Sequence, residues 1–282
     1  MTNPTILVLG ATGKTGRRVI TRLTASGHAV RAGSRSADIA FDWEDPATWA
    51  PAVAGIGSIY LTYQPDLAFP GAAERVAGLV HAAKAAGVRR IVLLSGRNEP
   101  GARAAEQVVE QSGCEWTLLV ASFFAQNFSE LDTVRDGVLA GVVAFPAGDV
   151  REPFVDADDI AEVAVAALTS DRHLWRRYEL TGPRLMTFGD AVAELAAATA
   201  RHIAYVPITI DELSAAMRGD GVPDVDVDAY ADLFATVLDG RNAYLSGDVE
   251  RILGRPPRDF ADYLAATVPT GVWDVAARSA AR

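Results

Sequence analysis

The sequence contains little that would support disulfide or metal chemistry. Its 282 residues include one cysteine, Cys114, so an internal disulfide is excluded. Cys114 stands just before the apolar run WTLLV, which favours a packing role for its thiol. The four histidines have no spacing typical of metal ligands, and we expect no metal site. They are His28, His81, His173 and His202.

Basic charge and long apolar runs are also scarce. The chain has 36 Asp and Glu against 26 Lys and Arg, a net charge of −10. This balance excludes a nucleic acid as a direct partner, because backbone binding needs a basic face. A local basic pocket for one phosphorylated ligand stays open. No run approaches the roughly 18 apolar residues of a membrane span, and no signal-peptide pattern is visible. We therefore predict no membrane contact and a cytoplasmic location.

What the chain does have is a regular alternation of strand and helix patterns. Continuous apolar runs predict strands over 5–9, 28–34, 58–62, 90–95 and 116–120. Helical patterns over 14–26, 71–87 and 102–113 lie between them. Strands without polar alternation are buried on both faces, as in a parallel sheet covered by helices. The sequence thus predicts an α/β fold with a Rossmann-type doubly wound parallel sheet.

The pattern loosens after residue 120. A helix begins in the acidic cluster at 156–159, where carboxylates favour the positive end of the helix dipole. Capping explains these acids more simply than acid–base catalysis does. Two short strands and several short helices follow. We predict a first domain over 1–150, to which some later segments return, and a smaller, mostly helical α/β lobe over 151–282.

Three glycines follow the first predicted strand at intervals of three, in the motif GATGKTG. Gly10 permits a tight turn, Gly13 lets the backbone approach a phosphate, and Gly16 allows close packing of helix and sheet. The start of the next helix offers unpaired N–H groups and a partial positive charge. In a β–α–β unit this arrangement predicts that a dinucleotide binds in the domain over 1–150.

The end of the second predicted strand indicates which dinucleotide binds. A protein that selects NAD usually has Asp or Glu there, but the segment VRAGSRSAD has no acid before Asp38. It offers Arg31 and Arg35 instead, and an arginine suits the 2′-phosphate of NADP. We predict NADP(H) as the cofactor, with Arg35 as the phosphate contact and Lys14 as a helper.

Several longer segments extend these observations into a family resemblance that covers nearly the whole chain. Together they resemble the NmrA-like group of atypical short-chain dehydrogenase/reductases, which includes triphenylmethane reductase and type-2 quinone reductase. The segments are GATGKTG, VRAGSR, FDWEDPATWAPAVAGIGSIYL, AGVRRIVLLSG, SGCEWTLLVASFFAQNF, PFVDADDIAEVAVAAL, YELTGP and GRPPRDFADYL. The resemblance implies a cofactor-binding Rossmann domain and a smaller substrate-binding C-terminal lobe.

The resemblance also implies roles for individual residues. Thr12, Gly13, Lys14 and Thr15 would surround the pyrophosphate, beside Gly10 and Gly16. Arg35 would bind the 2′-phosphate and Asp42 would lie near the adenine. Thr62, Tyr63, Gln64 and Ser95 would border the nicotinamide, in agreement with the rule that ligands sit beyond the carboxyl ends of parallel strands.

One departure from the family concerns proton transfer. Most short-chain reductases carry a Tyr-x-x-x-Lys pair after the strand that corresponds to 90–95, but this chain reads RNEPGARAAEQ there. Relatives often have Arg-Pro where this chain has Val120 and Ala121. A strong acid is needed less when the hydride acceptor is a quinone, an iminium or a conjugated cation. The negative charge that the hydride brings is delocalised in the reduced quinone, and it neutralises the positive charge of an iminium or a conjugated cation.

Candidate pocket residues follow from this chemistry. They are Tyr63, Gln64, Phe123, Phe124, Asn127 and Phe154, and for the aromatic members core packing is an equal alternative. Tyr63 and Ser95 are the candidate catalytic residues, as donors of a proton or a hydrogen bond. Asp66 and Glu99 lie on loops near the predicted site, and nothing in the sequence fixes the distance between them.

The sequence is compatible with three functions. The first is an NADPH-dependent reductase of a small aromatic, quinoid or iminium-type molecule. The second is a non-catalytic NADP(H)-binding redox sensor of the NmrA type, which the missing tyrosine and lysine also fit. The third is a cofactor-retaining isomerase or dehydratase. The partner is a small molecule in the first case, and we make no prediction of oligomeric state.

Overall fold

The computed structural model describes residues 4–274, which form two compact units. The first unit runs to Ala121 and includes two later segments, Ala157–Leu180 and Asp248–Arg255. The second unit consists of Ser122–Asp156, Thr181–Gly247 and the chain from Pro256 onward. The structural division therefore falls after Ala121 rather than at residue 150. Residues 275–282 of the predicted lobe lie outside the described residues.

Ten strands run through residues 4–274, and six of them form the sheet of the first unit. The strands are β1 (Thr5–Leu9), β2 (Val30–Gly33), β3 (Ile56–Leu61), β4 (Arg90–Gly96), β5 (Glu115–Ala121), β6 (Val142–Phe145), β7 (Arg151–Glu152), β8 (Arg176–Leu180), β9 (Met186–Thr187) and β10 (Ala204–Pro207). The six-stranded sheet has the order β2-β1-β3-β4-β5-β8, and every neighbouring pair is parallel. The predicted doubly wound parallel sheet is confirmed.

Twelve α-helices connect these strands within the same part of the chain. They are α1 (Lys14–Ala25), α2 (Trp49–Val53), α3 (Ala72–Ala85), α4 (Arg103–Glu110), α5 (Asn127–Glu130), α6 (Asp132–Ala140), α7 (Ala157–Thr169), α8 (Phe188–Thr199), α9 (Ile210–Gly219), α10 (Asp224–Val237), α11 (Asp248–Leu253) and α12 (Phe260–Thr267). In residues 4–274 no helix is both long and apolar enough to cross a membrane.

The strand order creates a switch point in the first unit. From β1 the chain moves to β2 on one side, and it then crosses to β3 on the other side of β1. Crossovers that diverge in this way leave a crevice beyond the carboxyl ends of the two strands. Gly10 follows β1 and Thr62 follows β3, so both lie at this crevice.

Apolar side chains fill the space between the sheet and its helices in the first unit. Leu7, Ile59 and Leu93 on three neighbouring strands are fully buried and belong to one cluster. Cys114 is 5% exposed and packs in the same cluster, as its apolar surroundings predicted. The acidic start of α7 is structural too, because Asp158 accepts hydrogen bonds from Arg18 and Arg22 of α1.

The second unit is an α/β assembly with two small sheets. Strands β6 and β10 pair in parallel, and β7 pairs with β9 in antiparallel fashion. Its core is aromatic: the rings of Phe123, Phe145, Phe154 and Phe188 lie within 4.9–5.9 Å of one another in five pairs. Helix α8, which carries Phe188, starts with a capping box between Thr187 and Asp190.

Candidate cofactor and active site

The loop between β1 and α1 has the geometry that a phosphate needs. Gly10 has a φ of 61°, in the left-handed region where other residues are strained. The Gly13 N–H donates to the Gly10 carbonyl at 2.8 Å and closes the turn. A Cβ on Gly10 would lie 2.5 Å from Thr62 Oγ1, which itself donates to Leu9 O. The turn is therefore held between the ends of β1 and β3.

Gly16 sets how closely α1 approaches this turn. A Cβ built on Gly16 would lie 2.1 Å from the Gly10 carbonyl oxygen and 2.7 Å from its carbon. Both atoms are backbone, so no side-chain rotation relieves such a contact. The Gly13 position is more open, with the same carbonyl at 3.2 Å and Gln64 Nε2 at 3.9 Å. The packing of α1 therefore requires glycine at position 16, whereas the role of Gly13 in the approach of a phosphate stays a prediction.

The beginning of α1 fits an anion. In the described part of the chain no side chain caps this helix, and its first turn contains no acidic residue. Lys14 is half-buried and Thr12 is exposed. Thr15 is buried against the Tyr60 hydroxyl. Burial raises the pKa of Tyr60 well above its ordinary value, so the phenol is neutral. Neutral polar groups, a lysine and the N–H groups of a first helical turn are groups that suit a phosphate, and the assignment of this position to the pyrophosphate stays a prediction.

The two arginines near the end of β2 have different surroundings. Arg31 lies within the strand and donates through Nη1 to Ala52 O and Ala54 O, both at 2.8 Å, so it holds the end of α2. Arg35 lies two residues beyond the strand and is exposed. Within residues 4–274 its guanidinium has no hydrogen bond or ion pair. Arg35 is thus available to an anion at the carboxyl edge of the sheet, whereas Arg31 is occupied.

The segment around Asp42 is tied to the end of β3. The Trp49 indole donates to Asp42 O at 2.8 Å, and the Trp43 indole donates to Thr62 O at 3.2 Å. The Asp42 carboxylate accepts from the Glu44 N–H at 3.0 Å. These bonds bring Asp42 and Thr62 to the same edge of the sheet as Gly10.

Tyr63 and Gln64 continue from β3 along that edge. The Tyr63 ring is 9% exposed and lies 4.9 Å from the Trp43 ring. Burial raises the pKa of the Tyr63 hydroxyl, and the nearby Arg75 opposes the shift. Arg75 is itself fixed by Glu44 at 2.7 Å. Tyr63 therefore has the properties of a hydrogen-bond donor rather than of an acid at neutral pH.

Ser95, near the end of β4, is part of a buried network. Its hydroxyl donates to Glu106 Oε1 at 2.8 Å. The other oxygen of Glu106 accepts from Arg103 at 2.8 Å and from Arg177 at 2.6 Å. Glu106 is 2% exposed, and the two guanidinium groups supply the charge that compensates it. The Ser95 proton is thus directed to a carboxylate.

A pair of carboxyl groups lies at the same edge of the sheet. Asp66, after β3, and Glu99, after β4, are within hydrogen-bonding reach of each other. Burial raises the pKa of Asp66, and burial together with the Asp66 and Glu106 charges raises the pKa of Glu99 strongly. The adjacency of β3 and β4 creates this pair. The sequence signal was that each residue follows a predicted strand.

The remaining predicted pocket residues lie in the second unit. Phe154 is 3% exposed and belongs to the aromatic core, so core packing is the alternative that the structure favours for it. Phe123 is half-buried against that core. Phe124 and Asn127 are half-buried at the start of α5, where the Asn127 N–H donates to Phe124 O at 3.0 Å. Within residues 4–274 there is no cluster of His, Cys, Asp and Glu that could hold a metal.

A parallel sheet with a glycine turn and an uncapped helix at its switch point defines a dinucleotide-binding domain. The family model for NAD(P)H-binding proteins matches residues 10–171. Over 275 residues the chain is 32% identical to the oxidoreductase YesF of Bacillus subtilis, with 94% of this chain and 95% of YesF covered. It is 31% identical to an NAD(P)H azoreductase of Xenophilus azovorans, with 93% and 97% covered. The chain belongs to the family of NAD(P)H-binding proteins and is an NAD(P)H-dependent oxidoreductase.

Solved structures share the fold over almost the whole chain. Triphenylmethane reductase of Citrobacter sp., complexed with NADP(H), has a TM-score of 0.76 at 21% identity and covers 93% of this chain and 99% of its own. The quinone oxidoreductase QOR2 of Escherichia coli, complexed with NADPH, has a TM-score of 0.76 at 23% identity with the same coverage. NmrA, a negative transcriptional regulator, has a TM-score of 0.70 at 17% identity, with 95% and 96% covered.

Proposed function

We propose that this protein is an NADPH-dependent reductase that transfers hydride to a small aromatic, quinoid or iminium-type molecule without a Tyr-x-x-x-Lys pair. The observation that carries the cofactor preference is the exposed Arg35 guanidinium beyond β2, on the same sheet edge as the glycine turn. This guanidinium has no hydrogen bond or ion pair to the described residues 4–274. The acceptor class follows from the sequence of α4 and the loop before it, which contain neither tyrosine nor lysine. The names of the azoreductase, triphenylmethane reductase and quinone oxidoreductase relatives are consistent with such acceptors.

Each part of the cofactor has a proposed partner in this geometry. The pyrophosphate would lie on the Gly10–Gly16 turn and the start of α1, with Thr12, Lys14 and Thr15 around it. Arg35 would bind the 2′-phosphate, and Asp42 would lie near the adenine. When bound, the reduced cofactor supplies the hydride, and the protein contributes binding, orientation and exclusion of water.

Residues beyond β3 and β4 would orient the reacting groups. Thr62, Tyr63 and Gln64 would border the nicotinamide, with Tyr63 as a hydrogen-bond donor fixed by Trp43 and Arg75. Ser95 stays a predicted catalytic residue, although its proton is directed to Glu106. Phe123, Phe124 and Asn127 stay predicted pocket residues, and the cytoplasmic location stays a prediction.

We expect the purified protein to oxidise NADPH when it is offered suitable acceptors. The measurement is the loss of NADPH absorbance with a panel of quinones, iminium compounds, azo compounds and cationic dyes, with an aliphatic ketone as the control acceptor. Because no Tyr-Lys acid is present, the ketone is expected to react much more slowly than the panel. Faster reduction of the ketone would contradict the proposed acceptor class. Tight NADPH binding without turnover of any acceptor would favour the redox-sensor alternative.

Arg35→Ala is expected to weaken NADPH binding about 10- to 100-fold and to leave NADH binding unchanged. The reason is that a hydrogen bond between charged groups is worth roughly 1.5–3 kcal/mol, and about 1.4 kcal/mol corresponds to a factor of ten in affinity. Calorimetric titration of both cofactors measures the difference. Arg89→Ala is the matched control, because Arg89 is a 74% exposed arginine at the opposite, amino-terminal edge of the sheet. Equal affinities of Arg35→Ala and the parent for NADPH would contradict the assignment.

A further inference from the structure

The proposed reaction needs a proton donor when the acceptor is a quinone. Reduction of a quinone by hydride produces an anion that needs a proton, and Ser95 and Tyr63 are poorly suited to give one. The hydroxyl of Ser95 already donates to Glu106. Tyr63 is 9% exposed and has a raised pKa. A donor at this edge of the sheet has to hold a proton at neutral pH and release it to a neighbouring atom.

The Glu99 side chain folds back over the end of β4. A Cβ on Gly96, the last residue of β4, would lie 1.8 Å from the Glu99 carboxyl carbon. The carboxyl group thus occupies the space that any larger residue at position 96 would fill. The Glu99 carboxyl group therefore lies at the carboxyl edge of the sheet, where β3 and β4 are paired neighbours.

Asp66 meets Glu99 from the end of β3. Asp66 Oδ1 accepts from the Ala68 N–H at 2.8 Å, which orients its carboxyl group. Glu99 Oε2 is buried and, among the groups described between residues 4 and 274, finds no hydrogen-bond donor. Two ionised carboxylates would leave this oxygen unpartnered and would repel each other. A single proton shared by the two carboxyl groups would supply a hydrogen bond for this oxygen.

We propose that Asp66 and Glu99 hold one proton between them and are the proton donor of the reductase, in place of the absent tyrosine and lysine. This inference rests on the proposed function. The charged group that faces the pair from α4 is the Glu106 carboxylate, which disfavours ionisation of Glu99. Burial of both carboxyl groups acts in the same direction. The pair is therefore protonated at a pH where an exposed carboxyl group has lost its proton.

The proposed step balances for a quinone. The hydride carries two electrons from NADPH to the quinone, which leaves NADP⁺ and a hydroquinone monoanion. The O–H bond of the carboxyl pair then breaks, and its proton forms the second O–H bond of the hydroquinone. The pair, now doubly ionised, regains a proton from water. For a cationic dye or an iminium ion the hydride alone gives a neutral product, so no donor is needed.

This difference between acceptors provides the test. Glu99→Gln is expected to lower kcat with a quinone about 100-fold, within the range typical of general acid catalysis. It is expected to leave the rate with a cationic dye unchanged, which also shows that the variant folds and binds NADPH. Asp66→Asn is expected to behave in the same way. Glu250→Gln, an exposed carboxylate on α11, is the matched control and is expected to change neither rate.

Gly96→Ala tests the position of the Glu99 side chain and keeps its carboxyl group. Its Cβ would displace the carboxyl end of a flexible side chain, so we expect the fold to tolerate it. We expect the rate of quinone reduction to fall and the rate of dye reduction to stay unchanged. In the parent, the rate of quinone reduction should fall as the pH rises through the raised pKa of the pair. The rate of dye reduction should show no such fall.

The outcomes separate the two proposals. If the parent reduces both acceptors and Glu99→Gln slows both equally, or slows neither, the donor assignment is wrong while the proposed function stands. If the parent reduces no acceptor, the proposed function fails and the donor role fails with it. Selective loss of quinone reduction in Glu99→Gln and Asp66→Asn, with the dye rate kept, supports the assignment.

Discussion

Gly16→Ala is expected to weaken NADPH binding about 100-fold, which corresponds to roughly 2.7 kcal/mol. The new Cβ would stand 2.1 Å from the Gly10 carbonyl oxygen and 3.2 Å from the Ala11 Cα. All the atoms in conflict belong to the backbone, so α1 and the turn have to separate. Forced expansion of a close packing contact typically costs about 1–3 kcal/mol. Here the displaced part is the Gly10–Gly16 turn, which we propose binds the pyrophosphate.

The measurement is a calorimetric titration with NADPH, with urea unfolding recorded in parallel. Gly219→Ala is the matched control, because a Cβ at the last residue of α9 meets no atom within 4 Å and its φ is not positive. We expect this control to bind NADPH like the parent. A Gly16→Ala protein that keeps the parent's affinity would show that the cofactor does not depend on the close approach of α1.

The glycine turn was accessible to sequence reasoning because its chemistry is local. Gly10 and Gly16 lie six positions apart in one strand–turn–helix segment, and the physical reason for each glycine can be read from its place in that segment. The continuous apolar runs were equally informative, since a strand buried on both faces shows no polar alternation. These two signals predicted the parallel sheet and its cofactor edge.

The sequence could only partly distinguish the roles of the two arginines in VRAGSR. Both were candidates in sequence, and their spacing of four residues does not tell which one is occupied. The structure shows that the Arg31 side chain binds the carbonyl groups at the end of α2, some 20 residues away along the chain. That contact depends on where α2 packs, which no local pattern specifies. Arg35 is left as the available cation.

The sequence could not predict the pairing of Asp66 with Glu99, although both residues were noted as lying near the predicted site. Asp66 and Glu99 are 33 positions apart, and their contact requires β3 and β4 to be neighbours and Glu99 to fold back over Gly96. The sequence predicted both strands, but neither their adjacency in the sheet nor the conformation of a single side chain in a loop. The structural division differs from the predicted boundary at residue 150 because Ser122–Asp156 belong to the second unit, which no local pattern specifies.

Aromatic residues of the second unit pose a different problem, because an apolar ring is equally suited to a core and to a pocket. Phe188 was not singled out in the sequence, yet it lies at the centre of the aromatic core. Its ring stacks on Phe145 at 4.9 Å and meets Phe123 and Phe154 edge-on at 5.0 and 5.1 Å. Such pairs add to the stabilisation from burial itself.

Phe188→Ala is therefore expected to lower the free energy of unfolding by about 3–5 kcal/mol, the usual cost of removing a buried phenylalanine. Phe188 is 2% exposed and its neighbours come from several elements, so the cavity cannot close by one local shift. Urea unfolding followed by tryptophan fluorescence measures the change. Leu245→Ala, at a leucine that is 49% exposed, is the control and should change the free energy by no more than about 0.5 kcal/mol. A Phe188→Ala protein as stable as the parent would show that the aromatic cluster does not hold the second unit together.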